Sequence, residues 1–274
     1  GRAVQALIGL HRARPAPPRH HLQALSLVTK GRTMPLFVSF EGGEGCGKTT
    51  QANLLLGKLK QLGVPVLLVR EPGTTELGKD LRKLLKAPKN TYSYQAELLL
   101  FAAARAELVE KVIEPALKQG MIIIADRYAD SSVAYQGYGR GLDIDMIRRI
   151  NQFATRGVVP DLTVLLDMDP RQGLQRLRTG QGRLPLGGNE ASEVGRIDDE
   201  AQRKFEKEPL EFHKRVRSGY LRLAKTGSLR WLVVPASRPS DEIALIIWNR
   251  VQPLAEQLPE SRAATAPSGL PRLL

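Results

Sequence analysis

The stretch Gly42-Gly-Glu-Gly-Cys-Gly-Lys-Thr49 follows the apolar run Leu36-Phe-Val-Ser-Phe40 and precedes a segment in which Leu55, Leu59 and Leu62 recur at helical spacing. Strand, glycine-rich turn and helix in that order make a P-loop. Its glycines, Gly42, Gly43, Gly45 and Gly47, let the backbone turn so that successive N–H groups face one anion, and the helix that follows adds the positive end of its dipole. Lys48 neutralises terminal phosphates, and Thr49 offers a hydroxyl to magnesium. Cys46 reads as a small residue that fits the turn. A carboxylate at Glu44 would be repelled by ATP phosphates, so it must aim at something else, such as a sugar hydroxyl or a metal-bound water. The loop therefore binds a Mg-nucleotide.

Outward from the loop, short apolar runs alternate with longer helical patterns, which is the signature of a parallel sheet covered by helices on both faces. Strands are expected near 36–40, 64–69, 121–125, 162–166 and 230–234, giving an α/β fold with a five-stranded parallel sheet. Helices are expected over most of 48–62, 75–86, 93–118, 143–156, 170–178, 199–225 and 240–257. Asp169 followed by Pro170 reads as an N-cap and a pre-set first helical residue, and Gly63 and Gly120 sit where helices should stop. Residues from about 179 to 196 hold five glycines and no period, and read as a mobile flap.

The chain has 274 residues with 41 basic and 28 acidic side chains, a formal charge of +13. Six of the basic residues lie in residues 1–33, which contain no acid; setting aside those and the end from 259 to 274 leaves 33 basic against 27 acidic residues. The core, 34–258, is only mildly basic, which suits anionic small molecules and does not call for nucleic acid. The leader holds three prolines and lacks periodicity, so it is expected to be disordered, with organelle targeting the lesser reading; the Pro- and Ala-rich end is expected to fray. One cysteine excludes an intramolecular disulfide and a cysteine-cluster zinc site and favours a reducing, cytoplasmic setting. No apolar run reaches the ~18 residues of a membrane span.

A second set of cations suggests a second anion. Arg70 closes a strand, Arg82 lies in the next helix, and Asp126 and Arg127 stand at the carboxyl end of a central strand, where open α/β sheets bind ligands. Arginine can clamp a phosphate bidentately, while Asp126 is placed to hold magnesium. Asp167, ending another strand, is the rival carboxylate for that role. Phe101 and Arg105 share a helix face, with Glu97 one turn earlier, and a ring beside a five-donor fork suits a nucleobase. In the segment Asp130-Ser-Ser-Val-Ala-Tyr-Gln-Gly-Tyr-Gly-Arg-Gly141, Ser131, Ser132, Tyr135 and Gln136 could line a pocket wall, and Tyr138 reads as a loop aromatic.

Five ordered segments, FEGGEGCGKTTQ (40–51), VREPGTTELG (69–78), LLLFAAARAE (98–107), ADRYADSSVAYQG (125–137) and PDLTVLLDMDP (160–170), resemble bacterial thymidylate kinases over about Met34 to Leu258. That resemblance implies a P-loop kinase fold, usually homodimeric, with transfer of the γ-phosphoryl of Mg-ATP to dTMP. It implies further that Gly42 to Thr50 contact ATP, Lys48 contacts the transferring phosphoryl, and Glu44 sits near the sugar 3′-hydroxyl. Phe101 would stack on thymine and Arg105 donate to its 4-carbonyl. Arg82 and Arg127 would clamp the dTMP phosphate, with Asp126 beside magnesium, and Pro72, Ser131, Tyr135 and Gln136 would line the acceptor pocket. Because Gly45 follows Glu44, the loop supplies no transition-state arginine, and the flap residues Arg178, Arg183 and Arg196 become the candidates. Two departures stand out: the flap is long and contains Pro185, and Thr74 replaces a second glycine. Rival readings are another nucleoside monophosphate or deoxynucleoside kinase, and a non-catalytic P-loop protein with a basic nucleic-acid-binding arm.

Overall fold

The computed structural model describes residues 36–87, 92–179, 203–227 and 229–255. The expected leader, the end from 259 and the flap beyond Thr179 lie outside the described residues.

Five strands form one sheet in the order β2-β3-β1-β4-β5, every neighbouring pair parallel. They are β1 (Phe37–Glu41), β2 (Val66–Arg70), β3 (Ile122–Asp126), β4 (Leu162–Asp167) and β5 (Trp231–Pro235). Side chains alternate across the sheet, so β1 sends Val38 and Phe40 to one face and Phe37, Ser39 and Glu41 to the other. The first face packs Leu36, Val38, Phe40, Ile122 and Ile124 under Leu55 and Leu59 of α1 (Lys48–Gln61) and Ile243, Ile247 and Val251 of α10 (Ser240–Ala255). Phe37, Ile123 and Ala125 on the second face meet Leu108 of α3 (Tyr94–Leu108), then Val112 and Ala116 of the helical turns after it. Each large side chain so buried contributes about 1.5–3 kcal/mol. Leu62, expected on the inner face of α1, is instead exposed at its C-cap.

Local chemistry accounts for the element ends. Thr75 caps α2 (Glu76–Lys86) by accepting the Gly78 N–H, and Ser93 caps α3 by accepting that of Ala96. Asp169 accepts the Arg171 N–H at the start of α7 (Pro170–Thr179), as the Asp-Pro pair predicts. Gly63 and Gly120 adopt the left-handed conformation after their helices.

Three helical expectations need correction. The expected helix over 93–118 widens into a π turn at Val109–Ile113 before α4 (Glu114–Lys118). The expected helix over 199–225 is two, α8 (Arg203–Glu206) and α9 (Leu210–Thr226), because Pro209 caps the second rather than continuing the first. Residues after the β3 turn, given no expected helix, form α5 (Ala129–Ser132) and a π segment, Val133–Gly139, leading toward α6 (Ile144–Thr155). Glycines masked this helix in the sequence, yet packing requires one of them: a Cβ on Gly139 would lie 2.7 Å from the Phe212 ring of α9. Tyr138 is thus a helical residue, not a loop aromatic.

Candidate active site

The P-loop and the turn after β3 leave the carboxyl ends of adjacent strands, and this adjacency assembles the site. Gly47, left-handed, caps α1, and Lys48 follows with only 8% exposure, its Nζ donating to the Gly43 carbonyl at 2.7 Å. Cys46 is buried, its Sγ 3.0 Å from the same carbonyl. Gly45 is required twice over. Its φ is +70°, and a Cβ there would stand 2.1 Å from the Gly173 carbonyl in α7. An arginine at this place has no room, which explains why the loop carries none.

Thr49 Oγ1 donates to Asp126 Oδ2 at 2.6 Å, and Arg70 Nε lies 3.7 Å from the same oxygen. The rival Asp167 is held by Arg217 through two bonds of 2.7 and 2.9 Å. Only Asp126, then, meets the P-loop hydroxyl. A hydroxyl and a carboxylate at one point are the hard oxygen donors that magnesium takes.

Arg127 sits in the left-handed region, φ 74°, and turns its guanidinium back over the P-loop. One terminal nitrogen donates to Glu44 (2.9 Å) and the Tyr135 hydroxyl (3.0 Å), the other to the Gly42 carbonyl (3.2 Å) and Ser131 (3.4 Å). The Tyr135 hydroxyl donates onward to Glu44 at 2.7 Å. Burial pushes the Glu44 carboxyl up, but Arg127 and Lys48 beside it hold it down at about 2. Glu44 therefore points toward Arg127 and Tyr135.

After β2 a cis Glu71–Pro72 peptide leads into a turn where Arg82 donates to the carbonyl of buried Pro72 at 2.9 Å. Phe101 is half-buried, its ring 6.3 Å from Phe205 and tilted 39° to it, while Phe205 stands edge-on to Tyr135 at 5.3 Å. Arg105 departs from the expected open fork. It is 1% exposed, and Nε and a terminal nitrogen donate to Glu71, while the remaining bonds reach Asn151 and Ser132 (2.9 Å). Four of its five N–H groups are engaged. Gln136, expected on the pocket wall, is also buried and donates to Glu97, which Arg140 approaches at 3.3 Å. Burial raises the Glu71 carboxyl although Arg105 pulls it the other way.

The structure thus brings together Glu44, Lys48, Thr49, Asp126, Arg127, Ser131 and Tyr135. Thr50 is half-buried in the first turn of α1. Arg178 is exposed on α7, and Arg183 and Arg196 lie outside the described residues. Sequence reading missed Phe205, Glu71, Asn151 and Glu41. Only Phe205 had a usable signal, as the lone aromatic just past the flap.

Comparison with known proteins follows the same lines. A family model described as thymidylate kinase matches residues 40–246. The thymidylate kinase of Halothermothrix orenii is 42% identical over 217 residues, 79% of this chain and 96% of that protein. That of Dehalococcoides mccartyi (strain CBDB1) is 45% identical over 219 residues, 80% of this chain and 96% of that protein. Among solved structures, a thymidylate kinase from Ehrlichia chaffeensis superposes with a TM-score of 0.59 at 32% identity, covering 80% of this chain and 99% of that one.

Proposed function

The chain belongs to the thymidylate kinase family, and we propose how its residues divide that work. It is a phosphotransferase of nucleotide biosynthesis. In our reading the γ-phosphoryl of ATP passes to dTMP, giving dTDP and ADP, within a domain spanning 34–258.

The P-loop backbone from Gly42 to Gly47, with Thr50, holds the ATP phosphates, and Lys48 exchanges the Gly43 carbonyl for the transferring group. Thr49 and Asp126 would hold magnesium, which would supply Lewis-acid stabilisation of the phosphate charge during transfer. Arg127 and Arg82 clamp the acceptor phosphate. Glu44, kept ionised by Arg127, accepts from the sugar hydroxyl, and Tyr135 and Ser131 narrow the sugar pocket. Phe101 stacks on thymine, Pro72 lines the acceptor pocket, and Phe205 packs beside Phe101. Arg105 offers its one remaining N–H to the base carbonyl, its orientation set by Glu71, Asn151 and Ser132, with Gln136 fixed behind it by Glu97. No covalent enzyme intermediate is needed, since the acceptor is already anionic. Alignment and charge stabilisation carry the rate, with the transition-state arginine drawn from Arg178, Arg183 or Arg196.

One observation carries this reading: Arg127, the phosphate-type cation after β3, already reaches Glu44 and the Gly42 carbonyl of the P-loop. Donor and acceptor sites therefore share a wall. Exposed Leu77, Leu84 and Leu99 on α2 and α3 support a homodimer. No described helix is long and apolar enough to cross a membrane, and we assign the enzyme to the cytoplasm.

The test is ADP formation from Mg-ATP with dTMP, dUMP, CMP, AMP and thymidine as separate acceptors and a Lys48→Ala control. Turnover with dTMP well above the others, lost in the control, is expected. Preference for another acceptor would overturn the thymine pocket while leaving the P-loop reading intact.

A further inference from the structure

Glu41 ends β1 immediately before the P-loop, and its side chain is fully buried. A carboxylate in that position must be bonded or paired to be tolerated. Three donors meet it, two from the segment after β3 and one from α9. Oε1 accepts the Tyr128 backbone N–H at 2.8 Å, and Oε2 accepts the hydroxyls of Ser131 at 2.6 Å and Tyr220 at 2.8 Å. The two hydroxyls are themselves 2.9 Å apart. None of the roles assigned above uses Glu41.

Two of these donors, Tyr128 and Ser131, adjoin Arg127. Tyr128 follows it in the chain, Ser131 touches its guanidinium, and Arg127 itself holds the left-handed φ of 74° that bulky residues seldom adopt. Two bonds to consecutive residues of β1 bracket that bend: Arg127 N–H to the Phe40 carbonyl at 3.1 Å, then Tyr128 N–H to the Glu41 side chain. A strand's backbone carbonyls run on into the P-loop at this point, so the second N–H leaves the sheet register and needs a side-chain acceptor of this length.

We propose that Glu41 is a positioning residue for the acceptor phosphate: by holding Tyr128 N–H and Ser131 it keeps Arg127 in the left-handed bend that aims its guanidinium at the P-loop. The role rests on reading Arg127 as the phosphate clamp. Glu41 touches no substrate and acts only through that arginine.

Steady-state kinetics of the full chain, varying dTMP and ATP separately, test it with Glu41→Ala, Glu41→Asp, Glu41→Gln, Arg127→Ala and the Glu41→Ala/Arg127→Ala double variant. An unsatisfied buried donor is costly, so Ala and Asp should each lower kcat/KM for dTMP about tenfold or more, with KM for ATP within about twofold. Gln retains an oxygen for the Tyr128 N–H and should stay within about threefold of the parent on the same measure. On the Arg127→Ala background the Glu41→Ala change should add less than about twofold. Equal damage from Gln and Ala, a parallel loss for ATP, or the same loss on both backgrounds overturns the proposal. If Ala fails to fold, the contrast between Asp and Gln decides it alone. Unchanged dTMP kinetics in Arg127→Ala would instead overturn the clamp reading itself, whereas impairment there without impairment in the Glu41 variants overturns only the positioning role.

Discussion

Thr49 Oγ1 and Asp126 Oδ2 are 2.6 Å apart although 77 residues separate them in the chain. The hydroxyl that opens α1 and the carboxylate that ends β3 meet because β1 and β3 are neighbours in the sheet, with Phe40 opposite Asp126. Asp167, which ends β4, is bonded to Arg217 instead.

That difference separates two variants. Asp126→Asn should lower kcat and shift its magnesium dependence to higher concentration. Asp167→Asn should leave the magnesium dependence in place, because its partner Arg217 is about one-third exposed and such pairs are worth only about 0–1 kcal/mol. Titration of magnesium at saturating nucleotides distinguishes them; equal shifts would reinstate Asp167.

Phe101→Ala should lower kcat/KM for dTMP by about tenfold to a hundredfold, the equivalent of about 1–3 kcal/mol of base stacking, while the KM for ATP stays near its parent value. Phe205→Ala, which removes the ring tilted against Phe101, should give a smaller loss in the same direction. Acceptor kinetics read both. Unaltered discrimination between dTMP and CMP in Phe101→Ala would remove the ring from the base site.

Gly45→Ala should abolish tight ATP binding with a near-parental melting temperature. The added methyl meets the Gly173 carbonyl of α7 and requires a strained φ, so the damage falls on the contact between the P-loop and α7 and not on the packing of the sheet faces. Gly173→Ala should do the same from the opposite side, since its Cβ would lie 2.2 Å from the Glu44 carbonyl. Binding of a fluorescent ATP analogue and thermal melting would report the two effects separately.

The pH dependence of stability isolates Glu41. Burial, reinforced by Asp130, pushes its carboxyl from 4.5 up to about 7. A carboxyl raised on folding adds stability that is full below about 4.5 and is lost as pH climbs through about 7. His213 opposes it: burial lowers the imidazole, so its contribution is present above 6.5 and lost as pH falls. Glu41→Gln removes only the first. The melting temperature of the variant minus that of the parent should therefore rise between about pH 5 and about pH 8. A constant difference across that range would contradict it.

Much of this was legible in the residues themselves. The P-loop glycines, the Asp169-Pro170 helix start and the five apolar runs are local features, governed by backbone freedom, capping and side-chain alternation within a few residues. Each therefore acts the same way wherever the segment ends up. The pairings among distant residues behave differently. Phe101 and Arg105 were correctly placed on one helix, but whether Arg105 is an open fork depends on Glu71, Asn151 and Ser132, which arrive from three other segments. Likewise, the helical form of 129–139 is set by α9 packing against Gly139, overriding the poor helix propensity of its glycines.

Residue pattern was enough to place the five strands, most of the helices and the phosphate-binding loop, because these depend on short-range periodicity and turn chemistry. Tertiary structure alone decided which carboxylate faces Thr49, which serine faces Arg105 and which faces Glu41, and why Gly45 cannot be an arginine. Those choices rest on hydrogen-bond geometry and close packing between chain segments that only the parallel sheet brings within a few ångströms of one another.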